Sequence, residues 1–324
     1  MIVRLLWRVA AAVALAAAAA TSAVAADSYP SRPVRIIVNT GPGGLVDVVT
    51  RLVAQRMSDD LKQPVIVENR AGGDGLIGIR YVKSAPADGY TLLASASTLA
   101  YQTAVKEDPG YALTDFTGIG LMGKSPLLLI EAPSKPDKSL ADLIARAKAN
   151  PGKLSYASAG VGSVTHLAAE RFLQQTGAKM LHVPYKGNGP ALPDVMGGRV
   201  EMIFEAYGSS RSHINAGTFK ALGITSATRL PGLAEVPTFE EQGVSNYTFY
   251  TWMYLFAPAG TPADIVQRLS RALRSATSTT AIKDRFREDG VETLDMSTEQ
   301  VNESLRRHAA DATKLMTDLG LAKQ

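Results

Sequence analysis

The sequence predicts an α/β fold of two domains that are joined by two crossings of the chain. Short apolar strands alternate with amphipathic helices along most of its length, a pattern typical of parallel sheets covered by helices on both faces. With 324 residues, 46% of them hydrophobic, the chain is longer than one compact domain usually is. The alternation is interrupted near residues 123–129 and 247–256. We expect the two crossings there, with a hinge and a cleft between the domains.

The first 25 residues have the pattern of a secretory signal peptide. Arg4 and Arg8 precede an apolar run at residues 9–20, and Ala23-Val24-Ala25 offers a small-residue cleavage site. A membrane anchor is the alternative, but a spanning helix needs about 20 apolar residues and this run is shorter. We therefore expect cleavage after Ala25 and export to the bacterial periplasm.

Composition excludes several classes of site. The chain has no cysteine, which excludes disulfides, a thiolate nucleophile and cysteine-ligated metals. Its net charge of +4 falls to +2 once Arg4 and Arg8 are removed, and so small a charge does not indicate a nucleic-acid-binding protein.

In the first domain, strands and helices follow one another in regular order. Residues 34–38 form an apolar run that ends at a glycine-rich turn, and apolar residues then recur at helical spacing. The predicted elements are a strand at 34–38, a helix at 45–61, a strand at 64–67, a helix at 76–82 and a strand at 90–94.

The second domain repeats this order, and the chain ends in helices. Three C-terminal helices cannot bury their apolar stripes alone, so we expect them to pack on the first domain. The predicted domains are therefore residues 26–125 plus 250–324, and residues 126–249. The elements are strands at 126–130, 153–157, 180–183, 200–204 and 219–224, and helices after Ser139 and at 164–175, 190–196, 265–276, 282–288 and 298–319.

Two nucleotide-binding motifs match only formally. Residues 118–125 have the spacing of a phosphate loop, but Pro126 follows where a helix should begin, so an interdomain strand is favoured. Residues 73–78 fit a dinucleotide fingerprint, but residues 68–72 separate them from the preceding strand. We interpret them as a turn and a helix start.

No residue pattern indicates catalysis or a metal. His166, His182, His213 and His308 are not spaced as metal ligands, and no Gly-x-Ser-x-Gly motif supports a serine nucleophile. We expect no catalytic residue, no metal and no cofactor. An enzyme whose polar residues assemble only in space remains the alternative.

Two glycine-rich loops are the candidate binding site. Each joins a buried strand to a helix start, and so exposes backbone amides at the positive end of a helix dipole. Such a loop suits a carboxylate or a phosphate, although a simple connection is the alternative for either loop alone. The candidate residues are Thr40, Gly41, Pro42, Gly43, Gly44 and Asp47 in the first loop, and Ser158, Ala159, Gly160, Gly162 and Ser163 in the second.

Other polar residues are expected at the same edge of the sheets, where strands end. Ser95, Ser97 and Thr98 follow one strand, with a helix cap as their alternative role. Glu205 and Tyr207 follow another. The aromatic residues around Trp252 are interpreted as core of the crossing strand, although one face of Trp252 could reach a ligand.

Several segments resemble one known family. They run in order through the whole mature chain and are similar to the tripartite tricarboxylate transporter substrate-binding proteins, also called the Bug family. The segments are Tyr29-Pro30-Ser31-Arg32-Pro33-Val34-Arg35, Gly41-Pro42-Gly43-Gly44 with Asp47, Val67-Glu68-Asn69-Arg70, Ala87-Asp88-Gly89-Tyr90-Thr91-Leu92-Leu93, Ala149-Asn150-Pro151-Gly152-Lys153-Leu154, Val183-Pro184-Tyr185-Lys186-Gly187 and Ala257-Pro258-Ala259-Gly260-Thr261-Pro262.

The resemblance implies a type II periplasmic-binding-protein-like fold. Its two domains would close on a small carboxylated ligand and present it to a membrane permease of the tripartite tricarboxylate type. It implies that residues 41–47 hold a carboxylate through backbone amides and ordered water, and that residues 158–163 and His166 supply opposing contacts. It also implies a monomer that is not an enzyme. A receptor for a sensor system and a periplasmic enzyme are the alternatives.

Two departures from the family pattern bear on ligand identity. This chain has Asn39-Thr40-Gly41 where the family commonly has a Phe-Ala or Tyr-Ala lead into Pro-Gly-Gly, which puts a polar group in the pocket wall. It also has Glu205 where an aspartate is common. The longer acid is expected to shrink the pocket, to meet an amine, or to turn towards solvent.

Overall fold

The computed structural model describes residues 29–320 and Lys323. The predicted signal peptide, residues 1–25, lies outside the described residues. In the part of the chain that is described, no helix has the length and apolar character needed to cross a membrane.

The described residues form one nine-stranded sheet with helices packed against it. The strands are β1 (Val34–Val38), β2 (Val65–Asn69), β3 (Thr91–Ala96), β4 (Phe116–Glu131), β5 (Ser155–Ser158), β6 (Leu181–Pro184), β7 (Met202–Ala206), β8 (Lys220–Ile224) and β9 (Tyr250–Pro258). The α-helices are α1 (Leu45–Leu61), α2 (Leu76–Lys83), α3 (Thr98–Val105), α4 (Leu140–Ala149), α5 (Val164–Thr176), α6 (Leu192–Met196), α7 (Tyr207–Asn215), α8 (Ala263–Ser278), α9 (Thr280–Glu288) and α10 (Thr298–Asp318).

The strand order is β2-β1-β3-β9-β4-β7-β5-β6, with β8 beside β4. Strands β1, β2 and β3 are parallel to one another, and so are β5, β6 and β7. The central strand β9, however, is antiparallel to both β3 and β4. The prediction of a parallel sheet is therefore wrong at the centre, because the chain re-enters the first half of the sheet from the direction opposite to β3.

Strand β4 divides the sheet into two units. Residues 116–126 pair with β9, whereas the strand pairs with β7 and β8 from Leu127 onward. The first unit thus contains β1–β3 and β9, and the second contains β5–β8. This arrangement confirms the two-domain fold with two crossings, and the strand interpretation of residues 118–125. The limits assigned to the domains remain predictions.

The two crossings are tied together by Thr225, whose side chain is fully buried. Its Oγ1 donates to the carbonyl of Phe249, 2.5 Å away, just before β9. The same oxygen accepts a hydrogen bond from the Leu127 amide at 2.8 Å. One hydroxyl therefore joins both connections at the point where the units meet.

The C-terminal helices pack on the first unit, as predicted. Helix α8 packs on α1, and α10 packs on α3 and β4. Asn302 Oδ1 accepts a hydrogen bond from the Gly118 amide in β4 at 3.2 Å, and the Ser304 and Tyr254 hydroxyls lie 2.6 Å apart. These contacts bury one side of α10 against the first half of the sheet.

Two helices were not predicted from the sequence. Helix α3 is buried on almost every side, so it lacks the polar face that marks an amphipathic helix. Helix α7 is rich in serine, glycine and asparagine, which are poor helix formers. Ser97 occupies the N-cap position of α3, although its side chain makes no capping hydrogen bond.

Candidate functional site

A cavity of about 60 Å³ lies between the two units, where β4 leaves β9 and joins β7. The wall residues come from both units. They are Thr40, Gly41, Gly44, Leu45, Val46, Ala96, Thr98, Leu127, Ala159, Ser163, Val164, Thr165, Asn188, Glu205, Ala206 and Thr251.

The cavity is lined by the N-terminal ends of four helices. Leu45, Thr98 and Val164 are the first residues of α1, α3 and α5, and Ala206 is the N-cap of α7. The N-cap residues of α1 and α3, Gly44 and Ser97, make no side-chain capping bond, which leaves first-turn amides available to a ligand. None of the described wall residues is lysine, arginine or histidine. An anion in this cavity would therefore be held by main-chain amides and hydroxyls at the helix ends.

Asp47 supports the first glycine loop through hydrogen bonds, and it is buried on the side of the loop that faces away from the cavity. Its carboxylate accepts hydrogen bonds from the Gly43 amide at 3.1 Å, from Asn69 at 2.9 Å and from Arg51 at 3.0 Å. Burial by itself would raise the pKa of Asp47, but the hydrogen bonds from Arg51, Asn69 and Gly43 lower it. Asn69 also donates to the Thr40 carbonyl at 3.0 Å, so the loop is held at both ends.

A stack of three rings supports the second glycine loop. The His166 and His182 ring centroids are 4.2 Å apart, and Tyr156 stacks on His182 at 4.9 Å. His166 Nδ1 accepts a hydrogen bond from the Gly162 amide at 3.1 Å, and His182 Nε2 lies 2.6 Å from Ser158 Oγ. The two histidines therefore fix the conformation of the second glycine loop, and they do not line the cavity.

The two units contact each other beside the cavity. The Val161 amide of the second loop donates to Asp74 Oδ1 at 3.0 Å, and its carbonyl accepts from Gln102 Nε2 at 2.6 Å. Gly160 has φ of +122°, and a Cβ there would lie 2.8 Å from Asp74 Oδ1. Glycine is therefore required at this position for both its backbone conformation and the close approach.

A second contact between the units lies at the first loop. A Cβ added to Gly41 would lie 2.9 Å from the Lys186 carbonyl oxygen, and one added to Gly189 would lie 2.6 Å from the Pro42 carbonyl oxygen. The glycines allow the two backbones to approach without a side chain between them.

Seven of the predicted site residues line the cavity. They are Thr40, Gly41, Gly44, Thr98, Ala159, Ser163 and Glu205. Thr40 supplies the polar group expected in the wall, whereas its neighbour Asn39 is buried against Gly75 and Gly78 beneath the loop.

The other predicted residues lie behind or beside the wall. Ser95 points away because side chains alternate along β3 and Ala96 faces the cavity. Tyr207 is turned into the second unit, where its hydroxyl donates to the Gly232 carbonyl at 3.3 Å. The remaining ones that do not line the cavity are Pro42, Gly43, Asp47, Ser97, Ser158, Gly160, Gly162 and His166.

Sequence reasoning missed several wall residues. Leu127 and Thr251 lie on the crossing strands, and Asn188 follows β6 in a turn. Thr251 could have been found from its place between Tyr250 and Trp252. Side chains alternate along β9, so Thr251 faces the cavity while these two aromatic side chains face away from it.

Trp252 instead lines a larger groove of about 510 Å³ on the opposite side of the crossing strands. This groove lies between the middle and C-terminal part of α5 and the C-terminal half of α10. The C-terminal ends of helices carry partial negative charge, which disfavours an anion. Within the described residues, no group of three or more His, Cys, Asp or Glu side chains is arranged to hold a metal ion.

The family model described as tripartite tricarboxylate transporter family receptor, TctC, matches residues 49–321. The chain belongs to this family. It is a solute-binding protein of the TctC/Bug type with the type II fold.

Solved structures of similar proteins agree with this assignment. The periplasmic binding protein BugD is 31% identical, with a TM-score of 0.88 over 91% of this chain and 100% of BugD. Rpa4515 of R. palustris with adipate is 33% identical, with a TM-score of 0.88 over 92% of this chain and 100% of that one. MatC of Rhodopseudomonas palustris with bound malate is 27% identical, with a TM-score of 0.85 over 89% and 99% of the two chains.

The histidine stack predicts that this TctC-family protein loses stability in acid. Burial and the neighbouring His182 lower the pKa of His166 to about 3, and burial lowers the pKa of His182 to about 4. Because the unfolded chain protonates these rings near pH 6.5, it binds more protons than the folded chain below that pH. The free energy of unfolding should therefore fall by on the order of 3–4 kcal/mol between pH 7 and pH 5, a little under 2 kcal/mol for each ring.

Urea unfolding at several pH values measures this slope in wild type and in His182→Gln. Glutamine keeps a hydrogen-bonding group near Ser158 but does not titrate. The variant should show a smaller decline towards pH 5. An identical slope in the two proteins would contradict the role given to His182.

Proposed function

We propose that the chain is a periplasmic receptor that captures a small carboxylate and presents it to a membrane permease of the tripartite tricarboxylate type. The observation that carries the proposal is the convergence of four helix N-termini on one small cavity without a basic side chain in its described wall. The partial positive charge of the helix ends attracts an anion, and their amides can surround it with hydrogen-bond donors.

Two further observations support a carboxylate as the anion. Rpa4515 and MatC, which share the fold, were solved with adipate and malate. The wall also combines hydroxyls of Thr40, Thr98 and Thr251 with apolar side chains such as Leu45 and Leu127. Hydroxyls suit carboxylate oxygens, and the apolar groups suit the carbon chain between them.

The proposed activity is binding without chemistry. The described wall has hydroxyl groups but no histidine or lysine that could activate one as a nucleophile. The signal-peptide pattern supports the periplasm as the site of action, and BugD is a periplasmic binding protein. We expect the receptor to act as a monomer.

Closure of the two units around the ligand is part of the proposal. The contacts made by Asp74, Gln102 and Gly41 join the units directly beside the cavity. A ligand that bridges the two loops would add its own contacts to these. It would therefore favour the joined arrangement over a separated one by its differential affinity for the two.

A thermal-shift screen of the mature chain tests the proposed function. The ligands are mono-, di- and tricarboxylates, with nucleotides and phosphate esters as controls. A ligand at about 100 times its Kd adds roughly 2.7 kcal/mol to the free energy of unfolding, which raises Tm by several degrees. Shifts confined to carboxylates, with no product formed on incubation, are expected. No shift with any carboxylate, or a shift with nucleotides alone, would contradict the proposal.

The contact at Gly41 predicts the effect of a methyl group on closure. The backbone of Gly41 lies outside the left-handed region, so alanine is compatible with it, but its Cβ would lie 2.9 Å from the Lys186 carbonyl oxygen. Such overpacking costs roughly 1–3 kcal/mol. We expect Gly41→Ala to weaken every carboxylate found in the screen by about tenfold to a hundredfold.

Isothermal titration calorimetry of the variant measures this loss. Gly232→Ala is the matched control, since its Cβ would lie 3.4 Å from the Tyr207 hydroxyl and away from the cavity. Wild-type affinity in Gly41→Ala would show that binding does not need this approach of the two units.

A further inference from the structure

Glu205 is the sole charged residue among the described residues that line the cavity. It lies near the end of β7, pairs in register with Leu128 of β4, and is 2% exposed. Its backbone is thus fixed beside the junction of the two units, and its side chain forms part of the cavity wall.

The two carboxylate oxygens of Glu205 have different surroundings. Oε1 accepts a hydrogen bond from the Ala206 amide at 2.8 Å and another from the Ser209 hydroxyl at 2.5 Å. Both donors lie at the start of α7, although neither bond is a side-chain cap of that helix. These two hydrogen bonds account for one oxygen and fix the orientation of the carboxyl group.

The other oxygen, Oε2, is buried and has no hydrogen-bond partner among the described residues. A buried carboxylate oxygen without a donor is costly, because the group has lost its water. Burial also raises the pKa of Glu205, and this effect outweighs the hydrogen bonds from Ser209, Ala206 and Asn188, which lower it. The cost is relieved when a ligand supplies a donor to Oε2.

Asn188 is the other polar wall residue to consider beside Glu205. Its Nδ2 donates one hydrogen to the Phe204 carbonyl at 2.9 Å, and its Oδ1 accepts a hydrogen bond from Thr165 Oγ1 at 3.2 Å. Its second N–H helps to lower the pKa of Glu205 but makes no hydrogen bond to Oε2. The helix-end amides and the hydroxyls of Thr40 and Thr98 are donors that suit a carboxylate. Glu205 Oε2 is thus an acceptor beside a set of donors.

We propose that the ligand is a carboxylate that also carries a hydrogen-bond donor, an ammonium or a hydroxyl group, which binds Glu205 Oε2. Glu205 is then a specificity-determining residue. It selects amino or hydroxy acids over the same carbon skeleton without the donor. This inference rests on the proposed function, because it names the class of carboxylate that the same cavity takes.

Titration calorimetry with matched ligands tests the inference on the wild-type mature chain. Succinate, malate and aspartate differ only at one carbon, which carries hydrogen, hydroxyl or ammonium. Glutarate, 2-hydroxyglutarate and glutamate repeat the comparison with one more carbon. We expect a donor-bearing member to bind at least tenfold tighter than the unsubstituted acid. The tighter of the hydroxy and amino acids identifies the donor.

Glu205→Gln tests whether this residue carries the preference. The amide oxygen can still accept the hydrogen bonds from Ala206 and Ser209, whereas an NH₂ group replaces Oε2 and offers a donor in place of an acceptor. Affinity for the donor-bearing ligand should fall at least tenfold, while affinity for succinate or glutarate should be unchanged or higher. The exposed Glu240→Gln, in the same unit, controls for loss of one negative charge and should retain the wild-type preference.

The outcomes separate this inference from the proposed function. The inference is overturned if wild type binds the unsubstituted acids equally well or more tightly. It is also overturned if Glu205→Gln keeps the preference for the donor-bearing acid. Neither result contradicts the proposed carboxylate receptor. Failure of every carboxylate in calorimetry overturns both. Because the wild-type comparison needs no variant, a folding defect in Glu205→Gln would not prevent the test, and the Tm of the unliganded variant reports such a defect directly.

Discussion

The structure depends on one constraint: helix N-termini leave amide groups that must find an acceptor. In this chain α1 and α3 begin at the cavity without a side-chain cap, and α5 and α7 begin beside them. The sheet topology brings these ends together, because the parallel strands of both units end at the same cleft. Under the proposed function, a small anion accepts hydrogen bonds from amides of both units, so binding and the joining of the units are parts of one interaction.

Several polar side chains near the cleft hold the backbone of the two loops and do not line the cavity. Asp47 and Asn69 hold the first loop, and the histidine stack holds the second. This division explains why so many polar residues near the cleft do not face it. Main-chain amides are positioned only as well as the loop that contains them. Each loop therefore needs side chains behind it that fix its conformation.

Much of the fold could be predicted from the sequence, because most strands and helices have clear apolar periodicity and glycine turns mark their ends. Helix α3 could not, since it is buried on almost every side. The direction of β9 depends on how the chain returns from the second unit, which no local pattern encodes. Both loops of the candidate site were found from glycine and strand–helix order. Thr251 and Asn188 were missed, because they reach the cavity only through tertiary packing.

A crystal structure of the mature chain with the carboxylate that shifts its Tm most would test the central claim directly. We expect carboxylate oxygens within about 3.2 Å of main-chain nitrogens in the first turn of α1 or α5, with hydroxyls or water completing the shell. A carboxylate paired instead with a basic side chain, such as Arg171 in the groove beside Trp252, would contradict it.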